Sequence, residues 1–150
     1  MRLSSFLSTL VLLTTTTTLA APWVSINNYL DHPIYITRVD QTGIRTQTAE
    51  LFPTQTWSEQ QLDVPGVAIK ITPEPKDVDT AGKGVLTLGY TYTPSWVYYD
   101  LGVFLYYPFP GAKAKLSGAG GDNDWSDGVP HVQHTVGYQG ETNITLDLWY

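Results

Sequence analysis

The sequence VLTLGYTY, residues 85–92, carries a large apolar or aromatic side chain at every second position. These large side chains are Leu86, Leu88, Tyr90 and Tyr92. A period of two is typical of a β-strand with one face in the core and one in water, whereas a helical face repeats about every 3.6 residues. The stretch therefore predicts a half-buried strand.

The same period of two recurs from Trp23 to the end of the chain. It is found in the segments 24–27, 34–37, 67–72 and 143–148. Turn-forming clusters rich in Gly, Pro and Asp lie between such segments. Apolar residues do not recur at helical spacing over three turns anywhere in the sequence. Many short strands with frequent turn signals predict an all-β fold, an antiparallel β-sandwich.

The first twenty residues are typical of a secretory signal peptide. Arg2 gives the start a positive charge, and the apolar run that follows is too short to cross a hydrocarbon core of about 30 Å. Small residues surround Ala20 and Ala21, where we expect cleavage. The expected organisation is a signal peptide over residues 1–20 and one domain over 21–150. We expect the protein to be secreted, either extracellular or associated with the cell wall.

The composition excludes several classes of protein. The chain has 150 residues and a formal net charge of −6, and its eight basic residues form no basic patch for nucleic acid. The sequence has no cysteine, which excludes a disulfide framework, a thiolate metal site and a cysteine nucleophile. No second long apolar run follows the signal peptide, so we expect no membrane span. We expect no cofactor and a monomer.

Two stretches, residues 94–110 and 116–130, interrupt the alternation. The first concentrates aromatic residues. The second is rich in Gly and Asp around Trp125 and is interpreted as a long loop. Loops of this length in compact domains are commonly functional, so a ligand site is expected in these two regions.

The aromatic side chains of these regions have two interpretations. If a strand starts at Pro94, Trp96 and Tyr98 share one of its faces and the residues between and after them share the other. One face belongs to the core, and the other could present rings on which sugars stack. The candidate ligand-binding residues are Trp96, Tyr98, Tyr106, Tyr107 and Trp125. Alternatively, these large side chains fill the core, and the sequence leaves both interpretations open.

Four blocks carry a family resemblance: Asn-Asn at 27–28, VYYDL at 97–101, WSDGVP at 125–130 and TNITL at 142–146. In this order they resemble the Blastomyces yeast-phase-specific protein family, small secreted fungal proteins related to thaumatin-like proteins. The resemblance implies a thaumatin-like β-sandwich, secretion, and association with fungal surfaces or hosts. It supplies no set of catalytic residues.

The chain departs from the family in its lack of cysteine. Family members commonly carry cysteines in neighbourhoods that correspond to residues 28–29, 122–124 and 148–150, and aromatic residues stand near two of these sites here. A disulfide typically contributes about 2–4 kcal/mol, and a buried aromatic side chain removes about 150–250 Å² from water. We therefore expect a divergent member in which packing replaces the cross-links.

The acidic and histidine clusters do not predict a metal site. Asp122 and Asp124 are spaced like EF-hand ligands, but Asp127 stands where that loop requires glycine. Aspartates in such stretches commonly bond their own backbone in turns. His131 and His134 would point to opposite faces of a strand, which excludes a shared metal there. In a loop they could bind one metal with Asp127 as the third ligand, but we expect them to be solvated.

A glycan hydrolase is an alternative function. It requires two facing carboxylates, about 5–5.5 Å apart for retention or about 6.5–9.5 Å for inversion. The candidates are Glu50, Glu59, Asp63, Asp100 and Glu141, and the sequence does not show which of them converge. Asp100 is the catalytic candidate because it lies in the VYYDL block; the alternative is a turn or backbone hydrogen bond.

Asn143 begins the single Asn-Ile-Thr glycosylation sequon. The alternation places it on the polar face with Thr145, so it is expected to be accessible and glycosylated.

Together these features predict a secreted, non-catalytic binding protein. Its expected partner is a cell-wall glycan or a component of a host surface. The alternatives are a weak β-glucan hydrolase with an acidic cleft and a secreted effector or antimicrobial protein. The net negative charge argues against attack on anionic membranes.

Overall fold

The computed structural model describes residues 21–150, so the predicted signal peptide lies outside the described residues. The described part contains eleven β-strands and one short 3-10 helix, Asp77–Asp79. The strands are β1 (Trp23–Tyr29), β2 (Ile34–Val39), β3 (Ala49–Leu51), β4 (Thr56–Gln60), β5 (Val67–Thr72), β6 (Val85–Thr93), β7 (Trp96–Phe104), β8 (Lys113–Gly118), β9 (Gly121–Trp125), β10 (Val136–Gln139) and β11 (Ile144–Trp149).

The strands form two sheets that pack face to face. The five-stranded sheet has the order β4-β1-β11-β8-β9, and the six-stranded sheet has the order β10-β7-β6-β5-β2-β3. Neighbouring strands are antiparallel except β1 and β11, which are parallel at the centre of the five-stranded sheet. The predicted all-β sandwich is confirmed. In residues 21–150 no helix has the length and apolar character that crossing a bilayer requires.

The core consists of the side chains that alternate in the sequence. In β6 the four large residues of VLTLGYTY are buried, and so are the Val, Ile and Leu residues of β1, β5 and β11. Full burial of a Leu, Ile or Val side chain contributes about 1.5–3 kcal/mol, so this layer supplies most of the driving force for folding. The period of two thus predicted the buried face of each of these strands correctly.

The predicted long loop over residues 116–130 is wrong for most of its length, because β8 and β9 form a hairpin there. Gly118 makes room for Tyr99 of the opposite sheet, and Gly120 makes room for strand β10 of that sheet. A Cβ on Gly118 would lie 2.6 Å from the Tyr99 hydroxyl, and that hydroxyl donates to the Gly121 carbonyl at 2.6 Å. The glycines therefore reflect a close contact between the sheets.

Trp125 is buried, with 3% of its surface exposed, at the end of β9. Its ring packs edge-on against Tyr107 at 6.0 Å, and Tyr107 packs in the same way against Phe109 at 6.1 Å. Burial raises the pKa of Tyr107 to about 12. These three rings belong to the core, as the second interpretation of the aromatic residues expected.

Residues 28–29, the first of the neighbourhoods that correspond to family cysteines, are fixed by the side-chain amide of Asn28. Asn28 is fully buried, and its Nδ2 donates to the carbonyls of His32 and Leu51 at 3.0 and 2.9 Å. Its Oδ1 accepts from the Leu30 backbone N–H at 3.0 Å. The adjacent Tyr29 is exposed, so aromatic packing does not replace a cross-link at this position.

An ion pair joins the two sheets between β2 and β4. Arg38 Nη1 lies 3.7 Å from Glu59 Oε2, and both side chains are largely buried. Within residues 21–150, Arg38 Nε and Glu59 Oε1 have no hydrogen-bond partner. Burial raises the pKa of Glu59, although the charge of Arg38 opposes this shift. The ionised form of Glu59 is therefore incompletely compensated in the folded state.

We predict that Trp125→Ala lowers the free energy of unfolding by about 3–5 kcal/mol, because it empties a buried aromatic site. The exposed Trp96 is the matched control, and Trp96→Ala should change the free energy by about 0.5 kcal/mol or less. Urea denaturation of both variants measures the difference. Equal losses would contradict the assignment of Trp125 to the core.

We also predict that the wild type loses stability relative to Glu59→Gln as the pH rises from about 4 to about 7. A raised pKa means that the folded state holds the proton more tightly than the unfolded chain. The stabilisation from protonated Glu59 is thus present at low pH and is lost as the pH rises through the raised pKa. Urea denaturation over this pH range tests it, with Glu50→Gln as an exposed control. A constant difference, or one of opposite slope, would refute it.

Candidate functional site

A groove of about 280 Å³ crosses the outer face of the six-stranded sheet over β5, β6 and β7. Its floor is formed by small residues, Gly89 of β6 and the adjacent Ala68 of β5. Its walls include Thr91, Tyr98 and Asp100. We call this the sheet groove. It exists because two positions in the middle of the sheet lack large outward side chains.

Gly89 makes room for the carboxylate of Asp100. The two residues are directly opposed in the β6–β7 pairing, and a Cβ on Gly89 would lie 2.5 Å from Asp100 Oδ1. Any larger residue at position 89 would displace the carboxylate. An isolated glycine within a strand pattern is a signal for such a close approach, but the identity of the approaching group was not evident from the sequence.

Asp100 is bonded on one oxygen only. Its Oδ2 accepts from Gln133 Nε2 at 2.8 Å and from Thr135 Oγ1 at 3.4 Å. Both donors are side chains of the segment that leads into β10. The alternative expectation, that the Asp100 carboxylate forms a turn or a backbone hydrogen bond, is therefore wrong. Within residues 21–150, Oδ1 accepts no hydrogen bond and faces the groove floor. No motif in the sequence indicated the roles of Gln133 and Thr135.

Trp96 and Tyr98 form a parallel pair of rings beside the groove. Their centroids are 5.7 Å apart with an interplanar angle of 9°, and they are 39% and 44% exposed. Val97 and Tyr99 are buried, so the predicted division of this strand into two faces is confirmed. Gly137 of β10 lies under Tyr98, where a Cβ would be 3.1 Å from the ring. Because β10 has no side chain at this position, the ring pair stays exposed to solvent.

The other three candidate aromatic residues do not join this pair. Trp125 is buried, which corrects the expectation that it presents a ring to a ligand. Tyr106 is exposed, but it follows the far end of β7, and Tyr98 and Phe104 are separated by about 20 Å of extended strand. Tyr107 packs against the buried rings. The reason is that β7 continues through most of the aromatic stretch as one strand, so its two ends cannot meet.

Four of the five candidate carboxylates lie outside the lining of the sheet groove, and two of these four, Asp63 and Glu141, both act on the Tyr92 hydroxyl. Glu50 accepts from the Tyr35 hydroxyl at 2.9 Å, Glu59 faces Arg38, and Glu141 accepts from the Tyr92 hydroxyl at 2.8 Å. Burial and the bond to Glu141 raise the pKa of Tyr92 to about 12. Among the residues that line the sheet groove, all within 21–150, Asp100 is the one carboxylate. The facing pair that a glycoside hydrolase needs is not assembled in this groove.

The aspartates of β9 and the following turn are engaged in local bonds. Asp122 and Asp124 pair with Lys115 at 2.9 and 3.9 Å. Asp127 accepts from the Val129 backbone N–H at 3.1 Å and lies 3.2 Å from His131. Over residues 21–150 no three His, Asp or Glu side chains are grouped so as to hold a metal ion.

Asn143 is exposed directly before β11. Its Oδ1 accepts from the Trp23 backbone N–H at 2.8 Å. The exposure agrees with the expected accessibility of the sequon, and attachment of a glycan stays a prediction.

Comparison with known proteins identifies the fold and the family. The model of the Blastomyces yeast-phase-specific protein family matches residues 11–150. The protein elicitor MoHrip2 from Magnaporthe oryzae is similar with a TM-score of 0.70 and 19% identity, over 87% of this chain and 100% of that chain. The thaumatin-like xylanase inhibitor TLXI is similar with a TM-score of 0.51 and 12% identity, over 85% and 99%. At these identities the likeness shows the fold, a thaumatin-like β-sandwich. No curated protein matches the sequence.

Proposed function

Since the chain belongs to the Blastomyces yeast-phase-specific protein family, we propose that it is a secreted binding protein that recognises a cell-wall glycan through the sheet groove. The observation that carries the proposal is the exposed Trp96–Tyr98 pair beside a carboxylate with an unused oxygen. Sugars present both kinds of surface that this arrangement fits: C–H groups that pack on aromatic faces, and hydroxyls that donate hydrogen bonds.

The chemistry of the groove supports recognition of a neutral sugar. Asp100 Oδ1 offers a charged acceptor to sugar hydroxyls, and charged acceptors form the stronger hydrogen bonds. Gln133 and Thr135 hold the other oxygen, so the carboxylate is oriented before a ligand arrives. Strands carry both the rings and the carboxylate, and a site on regular elements is held more precisely than one on loops.

The shape of the groove supports a polymer as ligand. The groove lies along the outer face of a sheet and is not a closed cavity, so a chain could continue past both of its ends. Binding of an interior segment of a polysaccharide needs this geometry. A wall glycan therefore fits better than a small free sugar.

A second candidate partner is a protein at a host interface. The solved neighbours are described as an elicitor and as a xylanase inhibitor, and both descriptions concern proteins that act on other organisms or enzymes. In this chain, the segment between β9 and β10 carries two strongly exposed apolar residues, Val129 and Val132. This candidate predicts that substitution of Val132, and not of Trp96, weakens the interaction.

We predict that the secreted protein, produced from its full-length precursor, is retained on insoluble β-glucan or chitin. Trp96→Ala and Tyr98→Ala should each weaken retention about fivefold, since an aromatic contact is worth about 0.5–1.5 kcal/mol. Asp100→Asn should weaken it about tenfold through loss of a charged hydrogen bond. Depletion isotherms on each polymer measure these affinities.

Trp23→Ala is the matched control, because Trp23 is 46% exposed and lies on the five-stranded sheet. It should bind as the wild type does. Wild-type affinity in Trp96→Ala and Tyr98→Ala, or an equal loss in Trp23→Ala, would remove the ring pair from the site. Release of reducing sugar that Asp100→Asn abolishes would favour the hydrolase alternative instead.

A further inference from the structure

A second cavity, of about 250 Å³, lies on the outer face of the six-stranded sheet beside the segment that contains the 3-10 helix. It is next to the sheet groove but is lined by other residues. Ala68 and Gly89 line the groove, whereas the cavity is lined by Lys70 and Thr87, each two residues away on the same strand. We call it the Lys70 cavity. The predicted binding residues include none of its lining.

Positive side chains outnumber the negative ones in the lining of the cavity, which contains Lys70 and Lys83 but one carboxylate, that of Asp77. Lys83 pairs with Asp77 at 3.6 Å, and Asp79 pairs with Arg45. Among residues 21–150, Lys70 has no carboxylate oxygen within 4.0 Å, and its charge adds only a smaller contribution to the lowered pKa of Asp79, which the hydrogen bond from Arg45 dominates. The two aspartates of the overlying segment are thus engaged by other cations. Lys70 remains as excess positive charge in a chain whose net charge is −6.

A hydroxyl group that can donate a hydrogen bond, that of Thr87, lies next to Lys70. Thr87 is the direct cross-strand neighbour of Lys70, and both line the cavity. Within the described residues the Thr87 hydroxyl has no hydrogen-bond partner, whereas the Thr80 hydroxyl donates to the Lys76 carbonyl. An ammonium and a free hydroxyl side by side can bind the two oxygens of one carboxylate.

The remaining walls are apolar. They are formed by Val78, Val85 and Phe104, and the Phe104 side chain is exposed at the cavity mouth. A ligand that fills this space needs an apolar body as well as an anionic end. The volume is below the range of about 300–1,000 Å³ that drug-sized ligands occupy, so the ligand is small.

We propose that the Lys70 cavity binds a small carboxylic acid with an apolar, preferably aromatic, body. The carboxylate lies at Lys70 and Thr87, and the ring packs against Val85 and Phe104. This site is independent of glycan binding in the sheet groove, so either proposal can fail without the other.

The test uses phenylacetate as the probe and phenylacetamide as its neutral counterpart. Titration of the isotope-labelled secreted protein should shift the amide resonances of residues 85, 87 and 104 with phenylacetate. Phenylacetamide should bind about tenfold more weakly, as expected for loss of a hydrogen bond to a charged group. Equal affinity for the acid and the amide in the wild type, or shifts confined to other regions, would overturn the proposal.

Substitutions separate the contributions of charge and ring. Lys70→Gln should remove the preference for the acid, and Phe104→Ala should weaken acid and amide alike. Lys113→Gln is the matched control: Lys113 is a half-buried lysine on the five-stranded sheet, so it removes the same charge away from the cavity. Wild-type preference in Lys70→Gln, or the same loss in Lys113→Gln, would overturn the proposal. Circular dichroism verifies folding, and the wild-type comparison of acid with amide holds without any variant.

Discussion

The hydrogen bond from the Tyr99 hydroxyl to the Gly121 carbonyl sets the register on which the rest of the structure depends. Tyr99 is a fully buried side chain of β7, and its partner lies in β9 of the opposite sheet. Burial raises the pKa of Tyr99, so it stays a donor at neutral pH. A slip of one residue in β7 would turn Tyr99 outward and Tyr98 inward. The buried tyrosine therefore orients Trp96, Tyr98 and Asp100 towards solvent.

With this register, some of the aromatic residues fill the core and others are exposed as candidate ligand-binding residues, so each of the two interpretations applies to part of the group. Trp125, Tyr107 and Phe109 pack against one another in the core. Trp96 and Tyr98 lie on the opposite side of a strand whose inner face is already filled. In this cysteine-less domain, aromatic residues thus stabilise the core by packing, while one pair of rings stays exposed. The buried amide of Asn28 links chain segments at one position where the family commonly has cysteine.

The sequence was sufficient wherever local alternation determines the outcome, as in β6 and β7, whose faces it predicted correctly. It was insufficient wherever the determining contact joins residues that are distant in the sequence. The glycines around residue 120 suggested a loop because the groups that approach them, Tyr99 at Gly118 and strand β10 at Gly120, are distant in the sequence. The partners of Asp100, on the segment leading into β10, were hidden for the same reason. Ion pairs such as Lys83–Asp77, which leave Lys70 unneutralised, also depend on the fold.

We propose the outward face of β7 and the adjacent β6 as the binding surface. The most direct measurement is chemical-shift mapping of the isotope-labelled protein during titration with β-1,3-gluco-oligosaccharide and with chito-oligosaccharide. We expect shifts at Trp96, Tyr98, Asp100 and Gly89 with at least one of these probes. We expect none on the outer face of the five-stranded sheet, where Asn27 is bonded to both Asp147 and Thr56. Shifts concentrated on that polar face, or no shifts with either probe, would contradict it.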